Sequence, residues 1–269
     1  VFALSIDILI LGRFVQGCGV GACAALWRSI FRDAFEGVEL ARYGAYFSIF
    51  ITFIIPVMPT IGGYLQQYFN WRACFVFLSL YAIGTLTLVT LAFKETSCHH
   101  HRDRLKSAFI YQSFKQLLTS RVFMSYSLCT FLCYGAFFSW FSIGPILLID
   151  KLGMSPVRFG WLTLGTSGVA TIISGWVNSR AVVKFGAAVM MRTGLGLMFI
   201  AGSLMLMGYL IFGIHTLAIM LPLFLFNFGV TFIWPSAFTG AFTPFGHIAG
   251  YAGALFGSLQ IGGAAALGL

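Results

Sequence analysis

The sequence predicts an all-α, polytopic membrane protein, and three observations carry that prediction. Of its 269 residues, 59% are apolar and 9% are charged, against about 25% charged in ordinary soluble chains. Apolar stretches of the roughly 20 residues needed to cross a bilayer recur along the chain, at a mean hydropathy of +0.93. Lys and Arg collect in alternate connections between those stretches. Sixteen Lys and Arg with seven Asp and Glu cannot cover a soluble globule of this length. The net charge of +9 is therefore a topology signal and not a nucleic-acid footprint.

Eight apolar stretches are expected, over 5–27, 43–68, 73–93, 123–149, 159–178, 187–212, 216–238 and 248–269. The first connection holds Arg28, Arg32 and Arg42. The third holds Lys94, Arg102, Arg104, Lys106, Lys115 and Arg121, and the fifth holds Arg180 and Lys184, with Arg192 just inside the next stretch. The opposite connections hold Arg72, Lys151 and Arg158 alone. Basic residues mark the cytoplasmic side, so the first stretch runs from outside to inside and the long polar loop is cytoplasmic. That loop divides the chain into residues 1–93, a loop at 94–122 and residues 123–269. Within it, 107–118 reads as an amphipathic helix with Ile110, Phe114 and Leu117 or Leu118 on one face, suited to the membrane interface beside anionic headgroups.

Several residues break the membrane rule. Arg13 lies well inside the first stretch, where a charge costs about 2.5–3.5 kcal/mol on insertion scales. Gln16, three residues on, shares its face, and Gly17 and Gly21 form a small-xxx-small pair for close helix approach. Arg13 is either a brace on backbone carbonyls or a charge in a transport path. Pro56, Pro59, Gly62 and Gly63 cluster in the second stretch, where each proline deletes a backbone donor; they mark a kinked packing helix or a bend that gates one side. Pro145, Pro222 and Pro235 mark further breaks, and broken membrane helices border cavities. Tyr134, Phe137, Phe138 and Phe141 follow an i, i+3, i+4, i+7 spacing and share one face, either as packing surface or as the wall of a cavity for apolar ligands. Asn227 and Gln260 are mid-span amides that must bond across helices or face water. Ala249, Gly253 and Gly257 give the last stretch a smooth face. Carboxylates stay near span ends, at Asp7 and Asp150.

Cys129 and Cys133 lie one helical turn apart and read as small apolar packing. Cys98 beside His99, His100 and His101 raises a metal site, but the tract has no spaced second ligand pair and reads as solvated loop. No cofactor or metal is expected.

With these residues in view, the chain resembles a known family. Leu9-x-x-x-Arg13-x-x-Gln16-Gly17-x-Gly19 resembles the fourth-helix motif of major facilitator drug/proton antiporters. Pro59-Thr60-Ile61-Gly62-Gly63 resembles the end of their fifth-helix antiporter motif, with Met58 and Ile54 where small residues usually stand. Three further runs resemble the bicyclomycin/chloramphenicol-resistance (Bcr/CflA) branch: Asn70-Trp71-Arg72-Ala73-Cys74-Phe75; Gly175-x-x-Asn178-x-Arg180 with Lys184-Phe185-Gly186; and Pro235 followed by Gly250-Tyr251-Ala252-Gly253-Ala254-Leu255-x-Gly257-x-x-Gln260.

The resemblance implies a major-facilitator-type helical bundle, incomplete, with the eight stretches standing for helices four to eleven. Residues 1–93 would be the second half of the N-terminal six-helix bundle. Residues 123–269 would form the C-terminal bundle, its last helix incomplete. It implies proton coupling at Arg13 and Gln16, gating at Pro59, Gly62 and Gly63, and a substrate cavity involving Tyr134, Phe138, Phe141, Asn227 and Gln260. The function expected is multidrug efflux of hydrophobic small molecules by proton antiport, by a monomer in the inner membrane, with no nucleic-acid partner and no enzymatic step. Two alternatives are an inactive or partner-dependent fragment of such a transporter and, remotely, a membrane metalloenzyme at His99–His101.

Overall fold

A computed structural model describes residues 5–34, 37–92 and 107–268, and for most of 24–53 it describes the backbone alone. Cys98 and His99–His101, with the rest of 93–106, lie outside the described residues. Every regular element among the described residues is helical. The helices are α1 (Ile6–Ala34), α2 (Gly37–Tyr68), α3 (Trp71–Ala92), α4 (Ser107–Thr119), α5 (Arg121–Pro145), α6 (Pro156–Thr163), α7 (Val169–Phe185), α8 (Ala187–Phe212), α9 (Thr216–Phe242) and α10 (Ala249–Leu267). Five spans are long and apolar enough to cross a membrane by length and composition: Ile6–Cys23, Trp71–Ala92, Arg121–Lys151, Ala187–Phe212 and Thr216–Gly246. The chain is thus an all-α polytopic membrane bundle, as the composition predicts.

The expected stretches are found as helices, with instructive departures. Past Pro145, which has no N–H to donate, α5 widens into a π-helical segment, Ile146–Lys151. The expected fifth span is three pieces: α6, a π segment Leu164–Gly168 and α7. Ser155 caps α6, its hydroxyl accepting from the Arg158 N–H at 3.3 Å, and Pro156 supplies the preset φ of a first helical turn. Gly186 separates α7 from α8 at φ +80°, a left-handed conformation that glycine adopts without a Cβ clash. Pro222 and Pro235 do not break α9, which runs unbroken from Thr216 to Phe242. Hydroxyls inside it bond back to carbonyls, Thr231 to Asn227 and Thr239 to Pro235.

Packing beyond α3 is built on small residues. A Cβ on Gly194 would lie 2.7 Å from the Gly229 carbonyl oxygen, joining α8 to α9. A Cβ on Gly263 would lie 2.7 Å from the Phe131 carbonyl carbon, joining α10 to α5. The buried face of α10 is Ala252, Phe256, Gln260 and Gly263, one residue round from the expected Ala249–Gly253–Gly257 face. Phe242 and Phe256 pack edge to face at 5.4 Å, and such bulky contacts fix the rotation.

α4 forms where the amphipathic pattern predicts a helix, but its apolar face is taken by the bundle itself. Leu117 is fully buried with Phe123, Phe245, Ile248 and Phe256, and Phe114 meets Tyr251 edge to face at 5.9 Å. Leu118 stays 51% exposed. α4 thus marks one end of the bundle. The opposite end carries the α2–α3 turn and the connection from α5 to α6.

Candidate functional site

At the end opposite α4, α2 and α6 cross at backbone contact. A Cβ on Gly63 would lie 2.9 Å from the Pro156 carbonyl carbon, and one on Gly160 would lie 2.6 Å from Thr60 Cα. The missing side chains let the backbones meet, and polar groups then pair across the seam. The buried Thr60 hydroxyl donates to the Gly160 carbonyl at 3.0 Å. The Val157 N–H donates to Gln67 Oε1 at 3.3 Å, and the Trp161 indole N–H donates to the Tyr64 hydroxyl at 3.1 Å.

Beside this seam lies a cavity of about 530 Å³, a volume typical of small-molecule sites. One wall is α2, through Ile55, Met58, Pro59, Gly62, Gly63 and Gln66, joined by Cys74 of α3. The facing wall is aromatic: Tyr134, Phe137, Phe138 and Phe141 of α5, Phe159 of α6 and Trp234 of α9. The rings support one another. Tyr134 and Trp234 meet at 4.9 Å edge to face, Phe137 and Phe141 at 5.1 Å, and Tyr134 and Phe138 stack at 5.7 Å. Such pairs contribute about 0.5–1.5 kcal/mol each beyond area burial, so the wall is preorganised. Among the described residues, no Asp, Glu, Lys, Arg or His is in its lining. The site has the volume and apolar lining to hold an apolar or aromatic guest.

The structure brings some of the sequence-predicted residues together here and leaves others apart. Tyr134, Phe138, Phe141, Pro59, Gly62 and Gly63 share this one cavity. Asn227 is buried outside its lining, where its amide nitrogen donates to the Ser167 hydroxyl at 3.2 Å and to the Leu223 carbonyl at 2.8 Å. It ties α9 to the π segment that links α6 to α7. Gln260 is buried on the inner face of α10, also outside the lining, and its amide nitrogen has no hydrogen-bond partner among the described residues. Arg13 and Gln16 pair as their spacing predicts, Nη1 donating to Oε1 at 2.9 Å. The guanidinium also lies 5.1 Å from the Phe75 ring centre. Arg13 is exposed and is not part of the cavity lining.

Sequence reasoning missed Gln66, Cys74, Phe159 and Trp234. Gln66 was findable, because Pro59, Gly62, Gly63 and Gln66 repeat at i, i+3, i+4 and i+7 and so share one face. No group of three or more His, Cys, Asp or Glu that could hold a metal ion occurs among the described residues.

Comparison with known proteins agrees with this architecture. An uncharacterized transporter of Rickettsia felis is 26% identical over 273 residues, covering 96% of this chain and 65% of the relative. A bicyclomycin resistance protein homolog of Haemophilus influenzae is 29% identical over 257 residues, covering 95% and 64%. A chloramphenicol resistance protein of Pseudomonas aeruginosa is 28% identical over 257 residues, covering 94% and 59%. The chain therefore spans less than two thirds of the length of these relatives, whose names are those of transporters and resistance proteins and not of enzymes. The Major Facilitator Superfamily family model matches residues 1–267, and the chain belongs to that superfamily of membrane transporters.

Proposed function

We propose that these residues form part of a secondary transporter of the inner membrane that exports hydrophobic small molecules in exchange for protons. The single observation that carries the reading is the cavity: a preorganised aromatic wall facing a proline- and glycine-bearing helix. Drug-resistance names among the relatives support the substrate class.

In this reading Tyr134, Phe138 and Phe141 hold the guest by ring contact. Pro59 and Gly63 shape the side of α2 that closes against α6, with Gly62 turned to the cavity, so the α2–α6 seam seals the outer side while it stays zipped. Arg13 and Gln16, paired at 2.9 Å on a largely apolar span, bias the proton site in this proposal. Asn227 and Gln260, off the cavity, act through helix packing. The loop 94–122 faces the cytoplasm, as its basic residues require, and the working unit is a monomer.

The test is drug uptake into everted vesicles that carry the full-length protein and an imposed pH gradient. Uptake that collapses with the gradient is the expected result. Uptake indifferent to the gradient refutes proton coupling.

A second reading is that residues 1–269 alone are inactive and depend on a partner. It is favoured by α1, whose Ile6–Cys23 span buries none of its residues while carrying Arg13. Growth of drug-sensitive cells expressing only these residues separates the two. Resistance supports the first reading, and sensitivity beside a resistant full-length control supports the second.

A further inference from the structure

α6, the π segment after it and α7 run back from the α5–α6 connection toward the α4 end of the bundle, so the turn at Gly186 between α7 and α8 lies at that end. This hairpin carries three exposed cations, Arg180, Lys184 and Arg192. Arg180 precedes Gly186 by six residues and Arg192 follows it by six, so at the helical rise each arginine lies roughly 9 Å from the turn. Asp150 is the only Asp or Glu between residues 107 and 268, and it lies in the π segment Ile146–Lys151 at the other end.

The cations of α7 share a face with exposed apolar residues. Trp176, Arg180 and Lys184 stand at i, i+4 and i+8. Trp176 is 60% exposed, and Ile172 and Ile173 are exposed one turn further from the end. On α8, exposed Phe199 stands seven residues after Arg192 and so on its face. The Arg180 guanidinium lies 3.8 Å from the centre of the Trp176 ring. It is thus drawn back one turn along the helix, among apolar side chains, where a long basic side chain ordinarily reaches out to water. Stacking occupies the flat face of a guanidinium and leaves its edge donors for a phosphate.

We propose that the α7–α8 hairpin binds the headgroup of one anionic phospholipid, with Arg180, Lys184 and Arg192 supplying the charge and Trp176 holding Arg180 at headgroup depth. The inference rests on the chain being a membrane bundle and does not depend on what the cavity carries.

The apolar neighbours select a lipid over a soluble anion. A free phosphate gains nothing from Ile172, Ile173 and Phe199, whereas acyl chains lie along them. Tryptophan suits this level of a membrane, with its ring in the apolar layer and its N–H toward the polar one. The three cations in turn select an anionic lipid. Each basic residue near an anionic membrane surface strengthens the attraction about fivefold, and a zwitterionic headgroup brings an ammonium of its own that offsets this.

The experiment is native mass spectrometry of the purified full-length protein in a nonionic detergent, titrated with dioleoyl phosphatidylglycerol or dioleoyl phosphatidylcholine. It reads the dissociation constant of the first lipid bound. The wild type is expected to bind phosphatidylglycerol at least about tenfold more tightly than phosphatidylcholine. Arg180→Gln, Lys184→Gln and Arg192→Gln together are expected to bring the two lipids within about threefold. Trp176→Leu keeps every charge and is expected to weaken phosphatidylglycerol about threefold, the range of one ring–cation contact, with phosphatidylcholine unchanged. Lys151→Gln with Arg158→Gln removes two cations at the other end and is expected to change neither. Excess glycerol phosphate is expected to displace no lipid. The inference is overturned if the triple variant keeps the wild-type preference, or if the Lys151 and Arg158 pair loses as much of it. Displacement by glycerol phosphate also overturns it, because that marks a site for soluble anions. Should the triple variant fail to fold, Trp176→Leu decides: unchanged phosphatidylglycerol binding overturns the inference.

Discussion

Adding one methyl group at Gly63 should have a far larger effect than adding one at Gly62. A Cβ on Gly63 would lie 2.9 Å from the Pro156 carbonyl carbon, against backbone that cannot swing aside, whereas a Cβ on Gly62 would meet nothing within 4 Å. Forcing a methyl into such a contact costs typically 1–3 kcal/mol. If α2 and α6 part at this end during the transport cycle, that cost falls only on the zipped state. A shift of 1–3 kcal/mol between two conformations changes their ratio by about 5- to 150-fold. The assay is the distance distribution between spin labels at Phe69 and Lys151, both exposed near that end. Gly63→Ala should move population from the short to the long distance, and Gly62→Ala should leave it as in the wild type. The reasoning is refuted if the two variants give the same distribution, or if Gly63→Ala only lowers the unfolding temperature without changing the distances.

Three smaller effects follow from the same geometry. Thr60→Val removes the hydroxyl that donates to Gly160 at 3.0 Å; interhelical bonds of this kind average about 0.6 kcal/mol in membranes, so the same spin-label ratio should shift about threefold toward the open distance. Gly263→Ala would drive a Cβ to 2.7 Å from the Phe131 carbonyl carbon, while Gly257→Ala would meet nothing. Thermal unfolding in detergent should show a clear drop for the first and no loss for the second, where alanine also favours the helix. Leu117→Ala deletes a fully buried side chain and should cost about 2–5 kcal/mol of α4 docking. Amide hydrogen exchange across 107–119 should rise for Leu117→Ala and stay unchanged for Leu118→Ala.

How much was legible in the sequence depends on the kind of signal each feature leaves. A membrane span needs only about 20 apolar residues, and composition reports that directly, so the expected stretches were found as helices, the fifth of them divided into three helical pieces. Arg13 and Gln16 paired because spacing on one helix fixes proximity. The π segments after Pro145 and at Leu164–Gly168 left no compositional trace, because a change of hydrogen-bond register keeps the same apolar residues. The choice between Leu117 and Leu118, and the buried face of α10, were set by bulky partners such as Phe256 and Phe245 that approach from elsewhere in the chain. Asn227 and Gln260 were weighed as bonded amides or wet ones. Both are buried off the cavity, but only Asn227 has bonds for its amide nitrogen, one of them to Ser167 across the helix interface.

The most direct test of the account is whether a transported compound occupies the cavity. Cys74 lines it, and its thiol can be read alone after replacing the other cysteines with serine in the full-length protein. A transported drug should slow N-ethylmaleimide labelling of Cys74 saturably, at the same half-maximal concentration that saturates transport. Labelling that proceeds at an unchanged rate while transport saturates would place the drug elsewhere and contradict the account.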